Sequence, residues 1–108
     1  MKSRHPSEKG AIRWFVYILR CGNGALYAGV TTDVNRRVAE HQSGGRLAAR
    51  FTRAFPPIEL VYSCCVGSKR LACQMEYRIK RLARREKMRV VAENFSTPEL
   101  LAYLGIAQ

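Results

Sequence analysis

Five side chains in this 108-residue sequence have types suited to phosphodiester hydrolysis: Tyr17, Tyr27, Arg37, His41 and Glu76. That reaction needs a deprotonated water, a sink for charge in a phosphorane-like transition state, and stabilisation of the leaving oxygen. A guanidinium, with its rigid fork of donors, suits the charge sink far better than an ammonium would. A carboxylate suits the leaving-group task by holding Mg²⁺, which takes one or two carboxylates and fills its other positions with water and substrate phosphate. A tyrosine could serve as base only with help, because the free side chain titrates near ~10; a neighbouring cation such as Arg37 could supply that field. Each residue also has a plainer reading. Glu76 and Lys80 stand at i,i+4, the spacing of an exposed salt bridge worth about 0.3–0.5 kcal/mol. Buried tyrosines are commonly core residues with a satisfied hydroxyl. Arg37 can snorkel past its apolar neighbours, and His41 can make an ordinary hydrogen bond.

The elements that must position these residues decide between the two readings. Residues 14–20 (WFVYILR) are aromatic and β-branched, and their unbroken apolarity suits a central strand buried on both faces. Cys21-Gly22-Asn23-Gly24 is a turn signal, and Ala25 to Val30 reads as the returning strand of a hairpin. With the turn centred on Asn23, Tyr17 pairs opposite Gly29 and Tyr27 opposite Leu19. Both tyrosines then share one face, and a slip of one residue would separate them. Gly29 would let a backbone or phosphate approach closely, or simply relieve crowding opposite Tyr17. Thr32 or Asp33 caps a helix that runs to about Gln42 and stops at Gly44-Gly45. On it Val34, Arg37, Val38 and His41 form an inward stripe at i, i+3, i+4, i+7, whereas Arg36 and Glu40 fall on the outer face.

Residues 46–54 (RLAARFTRA) read as a short helix with Arg46, Arg50 and Arg53 on one side and Leu47, Phe51 and Ala54 on the other, a phosphate-tracking surface. Phe55-Pro56-Pro57 ends it, and Ile58 to Val66 reads as a third strand. The longest helix is expected over about 69–88, with Leu71, Met75, Ile79 and Leu82 as its core stripe. Glu76, Lys80, Arg84 and Lys87 form a second column beside that stripe. Ser96-Thr97-Pro98-Glu99 signals a last short helix closed by Gly105.

Val16-Tyr17-Ile18 and Tyr27-Ala28-Gly29, followed by Asp33 to Arg37, His41 and Gln74-Met75-Glu76-Tyr77, together resemble the GIY-YIG nuclease superfamily. The likeness is to its small single-domain bacterial (UPF0213-like) members and covers about Trp14 to Lys87. Val16 stands where the first motif has glycine and Ala28 where the second has isoleucine. The resemblance implies a small α/β (α+β) domain, a three-stranded antiparallel sheet flanked by helices. It implies a Mg²⁺- or Mn²⁺-dependent endonuclease acting on DNA; because the sequence shows no helix-turn-helix, zinc finger or other reading module, structure-specific cleavage is expected over sequence-specific. By position in the motifs, Tyr17 would be the general base helped by His41, Tyr27 would orient water or substrate, Arg37 would stabilise the transition state, and Glu76 would hold the metal. Gly29, Lys80, Arg84 and Lys87, with Arg46, Arg50 and Arg53, would contact substrate. Asn94 is the one asparagine downstream of Glu76 that could match a further family position.

Composition points the same way. Nineteen Lys+Arg against eight Asp+Glu give a net charge of +11 and a pI near 10.2, which favours a polyanionic partner. The alternatives are a nucleic-acid-binding module that kept the fold and lost catalysis, and an interaction protein docking through its basic helix. Cys21, Cys64, Cys65 and Cys73 form no CxxC pair, so no structural zinc is expected and the thiols read as reduced and buried. The apolar run Trp14 to Leu19 is too short to cross a bilayer. The expected division is a basic tail over 1–12 without an apolar signal segment, a nuclease domain over 13–90 and a helical extension over 91–108, in a cytoplasmic protein. Oligomeric state is left open.

Overall fold

A computed structural model describes residues 12–107; the expected basic tail, apart from Ile12, lies outside the described residues. The apolar run becomes strand β1 (Trp14–Arg20), flanked by β2 (Leu26–Thr31) and β3 (Glu59–Gly67) in an antiparallel sheet of order β2-β1-β3. Its central place explains its composition, because Val16 to Leu19 are each no more than 1% exposed. The hairpin register is the expected one, Tyr17 opposite Gly29 and Leu19 opposite Tyr27. Pairing with β3 shifts between Ile18 and Leu19, so that Tyr62 opposes Ile18 and Leu60 opposes Leu19.

Period-two alternation divides β1 between two apolar clusters. Val16 and Ile18 join Ala28, Tyr62, Met75, Ile79, Val90 and Leu100 in the larger one. Tyr17 and Leu19 join Cys21, Val38 and Ile58 in the smaller, with Tyr27 and Val34 packed against it. Helix α1 (Val34–Ser43) covers the smaller cluster. Asp33 caps its start by accepting from the Arg36 N–H, and Gly44, at φ 67°, ends it in the left-handed region that glycine tolerates.

Helix α2 covers only Arg50–Ala54, not the whole of 46–54. Ala48 and Thr52 are buried, whereas Leu47, 63% exposed, and Ala54 face solvent, so neither Leu47 nor Ala54 lies on the inward side expected of it. The single helix expected over 69–88 is two helices, α3 (Lys69–Lys80) and α4 (Arg84–Glu93). Neither glycine nor proline marks the break. The Arg81 and Leu82 amides turn back to the carbonyls of Arg78 and Ile79, and the Ala83 N–H is held by the Glu86 carboxylate at 2.8 Å. The change of direction lets Val90, fully buried, reach the core. Glu76, Lys80, Arg84 and Lys87 therefore do not form one column. Helix α5 (Thr97–Tyr103) starts with Ser96 and Glu99 capping each other's amides, as expected, and delivers Leu100 and Leu101 to the large cluster. Asn94 is the left-handed C-cap of α4, at φ 49°.

The four thiols are free, but Cys21 alone is buried; Cys65 is exposed, corrected from the expectation of buried thiols because alternation along β3 turns it away from its neighbour Cys64. Among the described residues no helix is long and apolar enough to cross a membrane.

Candidate active site

Tyr17 leaves the central strand on the face of the smaller cluster and lies across Gly29. A Cβ built at Gly29 would overlap the Tyr17 hydroxyl and ring, so this position needs glycine for space. The Tyr17 hydroxyl lies 3.0 Å from His41 Nε2, and both side chains are 1% exposed. Helix α1 brings His41 there from its last turn, one turn beyond Val38. The Tyr27 and His41 rings meet in a T-shaped contact at a centroid distance of 5.5 Å, so the two tyrosines and the histidine form one aromatic group.

Arg37, a turn before His41, reaches the same hydroxyl from the helix side. Its Nη1 donates to Glu40 at 2.8 Å and to the Leu47 carbonyl at 2.6 Å, which fixes the guanidinium in place. Glu40 is therefore not the outward residue that its helical phase suggested. With 22% of its side chain exposed it also lies 3.5 Å from Arg36.

Glu76 approaches from α3. Its carboxylate pairs with Lys80 at 3.3 Å, and the Lys80 ammonium sits 5.7 Å from the Tyr27 ring centre. Glu76 is also close enough to Tyr17 for its charge to disfavour a tyrosinate. Contacts thus link all five expected residues from four segments, with Lys80 as a bridge. Among the described residues no three His, Cys, Asp or Glu side chains cluster as metal ligands. Glu76 is a lone, partly exposed carboxylate, a hard oxygen donor suited to a cation that keeps most of its water.

Burial dominates the titration of the buried pair. It pushes Tyr17 up to about 12, although Arg37 pulls the other way through its hydrogen bond and its charge. Arg37 therefore does not bring Tyr17 into the neutral range. Burial also holds His41 down at about 4, aided by the Arg37 cation and opposed in part by Glu40. At neutral pH the site holds an un-ionised phenol against an uncharged imidazole.

Two residues escaped the sequence reading. Thr52, fully buried, places Oγ1 2.8 Å from His41 Nδ1. Its spacing of four from Ala48 is the available signal, outweighed in the sequence by the larger apolar side chains Leu47 and Phe51. Glu40 was the other. Of the expected substrate contacts, Arg46, Arg50 and Arg53 are exposed around α2. Lys87 lies half-buried on α4. Arg84 donates to the Gly24 carbonyl at 2.6 Å, pinning the start of α4 to the hairpin turn.

A family model described as the GIY-YIG catalytic domain matches residues 13–89. UPF0213 protein YhbQ of Escherichia coli (strain K12) is 45% identical over 91 residues, covering 84% of this chain and 89% of that protein. A UPF0213 protein of Citrobacter koseri is 46% identical over the same shares. The solution NMR structure of the UPF0213 protein BH0048 from Bacillus halodurans superposes with a TM-score of 0.50 at 38% identity, covering 88% of this chain and 99% of that one.

Proposed function

The chain belongs to the GIY-YIG family of catalytic domains, whose nuclease chemistry acts on nucleic acid, and we propose that it is a Mg²⁺- or Mn²⁺-dependent endonuclease hydrolysing phosphodiester bonds in DNA. One observation carries this reading: the Tyr17 hydroxyl is hydrogen-bonded to an uncharged, buried His41, beside Arg37 and within the field of Glu76. A merely structural tyrosine has no need of these neighbours together.

Tyr17 keeps its proton at rest, so it acts as a relay. As water attacks phosphorus, the phenol oxygen accepts the water proton while its own proton passes to His41 Nε2, 3.0 Å away. An incoming phosphate favours that transfer, because its negative charge stabilises the imidazolium that forms. Arg37, locked by Glu40 and Leu47, would present its charge to the non-bridging oxygens as they gain theirs. Glu76 would hold the divalent cation, which supplies Lewis-acid stabilisation of the leaving oxygen. Lys80 would exchange Glu76 for substrate phosphate. Arg46, Arg50, Arg53 and Lys87 would track the backbone, Gly29 would leave room beside Tyr17, and Arg84 would add charge while holding the hairpin turn. The exposed, distributed cations recognise phosphate and not base edges, which supports structure-specific cleavage. Residues 13–90 would form the nuclease domain, with 1–12 as tail and 91–108 as extension, in the cytoplasm.

A second reading, a binding module of the same fold without catalysis, is favoured by the Glu76–Lys80 pair, since a helix surface without a metal role would show the same contact. Labelled duplex, branched, single-stranded and RNA substrates, incubated with and without Mg²⁺ or Mn²⁺, separate the two. Glu76→Gln should lower the cleavage rate at least about 100-fold and leave affinity within about twofold, because affinity comes from the spread Lys and Arg. If wild type cleaves nothing above the Glu76→Gln background while both bind equally, the binding module is the correct reading.

A further inference from the structure

His41 is buried between two hydroxyls, Tyr17 on Nε2 at 3.0 Å and Thr52 on Nδ1 at 2.8 Å. A hydroxyl can donate or accept, so the imidazole's two partners leave its tautomer undecided. The third contact of Thr52 decides it. Thr52 Oγ1 lies 3.0 Å from the carbonyl oxygen of Ala49, the N-cap residue of α2, and a carbonyl can only accept. That carbonyl also takes the Arg53 amide at 2.9 Å, which its two lone pairs allow. The single Thr52 proton therefore goes to Ala49, and Oγ1 meets Nδ1 as an acceptor. Nδ1 must then carry the ring proton. Nε2 keeps its lone pair, and the Tyr17 hydroxyl must donate to it.

The opposite tautomer satisfies less. Nε2–H would donate to the Tyr17 oxygen, already faced by the Arg37 donor, and the buried phenol proton would have no protein acceptor among the described residues. Its one compensation is the Ala49 N–H, 3.5 Å from Nδ1, a distance at which a hydrogen bond contributes little.

We propose that Thr52 is a positioning residue that fixes His41 as its Nδ1–H tautomer and so makes Nε2 the acceptor of the Tyr17 proton. The tautomer follows from hydrogen-bond geometry alone; its effect on rate rests on the nuclease reading above. Arg50 and Arg53 flank Thr52 on α2 and are exposed. The segment that offers cations to a phosphate backbone therefore also sets the direction of proton transfer.

Nitrogen-15 NMR of the histidine-labelled full chain tests this without substrate, with His41 distinguished from His5 through a His5→Gln variant. At neutral pH the His41 spectrum should show a protonated Nδ1 and an unprotonated Nε2. Thr52→Val, close in shape but without the hydroxyl, should abolish that single-tautomer signature, and Thr52→Ser should restore it. On a cleavable substrate, Thr52→Val should lower kcat about tenfold or more with KM within about twofold, and Thr52→Ser should recover most of the loss. A wild-type His41 protonated on Nε2, or a Thr52→Val protein that keeps the Nδ1–H signature, overturns the proposal. Should Thr52→Val fail to fold, Thr52→Ala, which also lacks the hydroxyl, takes its place, and retention of the Nδ1–H signature there overturns the proposal equally. If the spectra are as expected but no substrate is cleaved, the nuclease reading fails and the tautomer assignment stands.

Discussion

The imidazole of His41 faces Tyr17, Tyr27, Thr52, Arg37 and Glu40, and only Glu40 favours its charged form. Its folded pKa, about 4, lies below the 6.5 of an unstrained histidine. The unfolded chain therefore binds a proton first as pH falls. Stability from the neutral imidazole is fully present above pH 6.5 and is lost between there and about pH 4. After allowance for solvent screening the loss is on the order of 1–3 kcal/mol. Urea titrations of wild type and His41→Gln at pH 7 and pH 4.5 measure it. Wild type should lose more stability than the variant, and equal losses would mean His41 titrates normally. Much of this residue-scale arrangement was legible in the sequence, because strand alternation aligned the tyrosines and helical spacing turned Arg37 and His41 inward. Thr52 was not, because a five-residue helix is little more than one turn, too short for its apolar spacing to say which face turns inward.

At the scale of elements, the break between α3 and α4 is the principal departure from expectation. An unbroken amphipathic pattern without glycine or proline reads as one helix, and here packing against the sheet overrides it: Val90 reaches the core only if the chain turns after Lys80. The local signal is Glu86, whose carboxylate caps the Ala83 amide at 2.8 Å. It was weak because Ala83, at the N-cap with φ −64° and ψ 155°, has no side-chain acceptor to offer in return. Ala83→Ser completes the reciprocal pair and should stabilise the protein by about 0.5–1 kcal/mol. Thermal denaturation should show a rise of a few degrees, with cleavage unchanged. A fall would mean that Ala83 does not start a helix.

For the whole molecule, the charge of +11 sets the expected thermodynamics of binding. Residues 69–89 hold nine basic and two acidic side chains, and the helix break spreads them over two directions in place of one straight track. Affinity for duplex DNA should fall steeply with salt, log K against log[salt] having a slope of roughly −0.9 for each phosphate contacted. A flat plot measured by fluorescence anisotropy would argue for a protein partner. Composition made this property legible from the start. The docking of α4 and α5 onto the large cluster was less so, since their apolar positions say that they pack and not against what.

The sheet's central strand also imposes a rule on how the protein can change. Even-numbered Val16 and Ile18 belong to the large core, whereas Tyr17 lies on the other face, in the smaller cluster where the proposed reaction would take place. Tolerance to substitution along β1 should therefore be low throughout, but the failure at Tyr17 should differ in kind from those of its neighbours. Val16→Ala or Ile18→Ala should cost about 1–4 kcal/mol and reduce the amount of folded protein, leaving the surviving molecules as competent as wild type. Tyr17→Phe should yield a normal amount of folded, idle protein. A scan scored once for abundance and once for turnover would set Tyr17 apart from its neighbours Val16, Ile18 and Leu19, the one position governed by inheritance of the reaction and the others by inheritance of the fold.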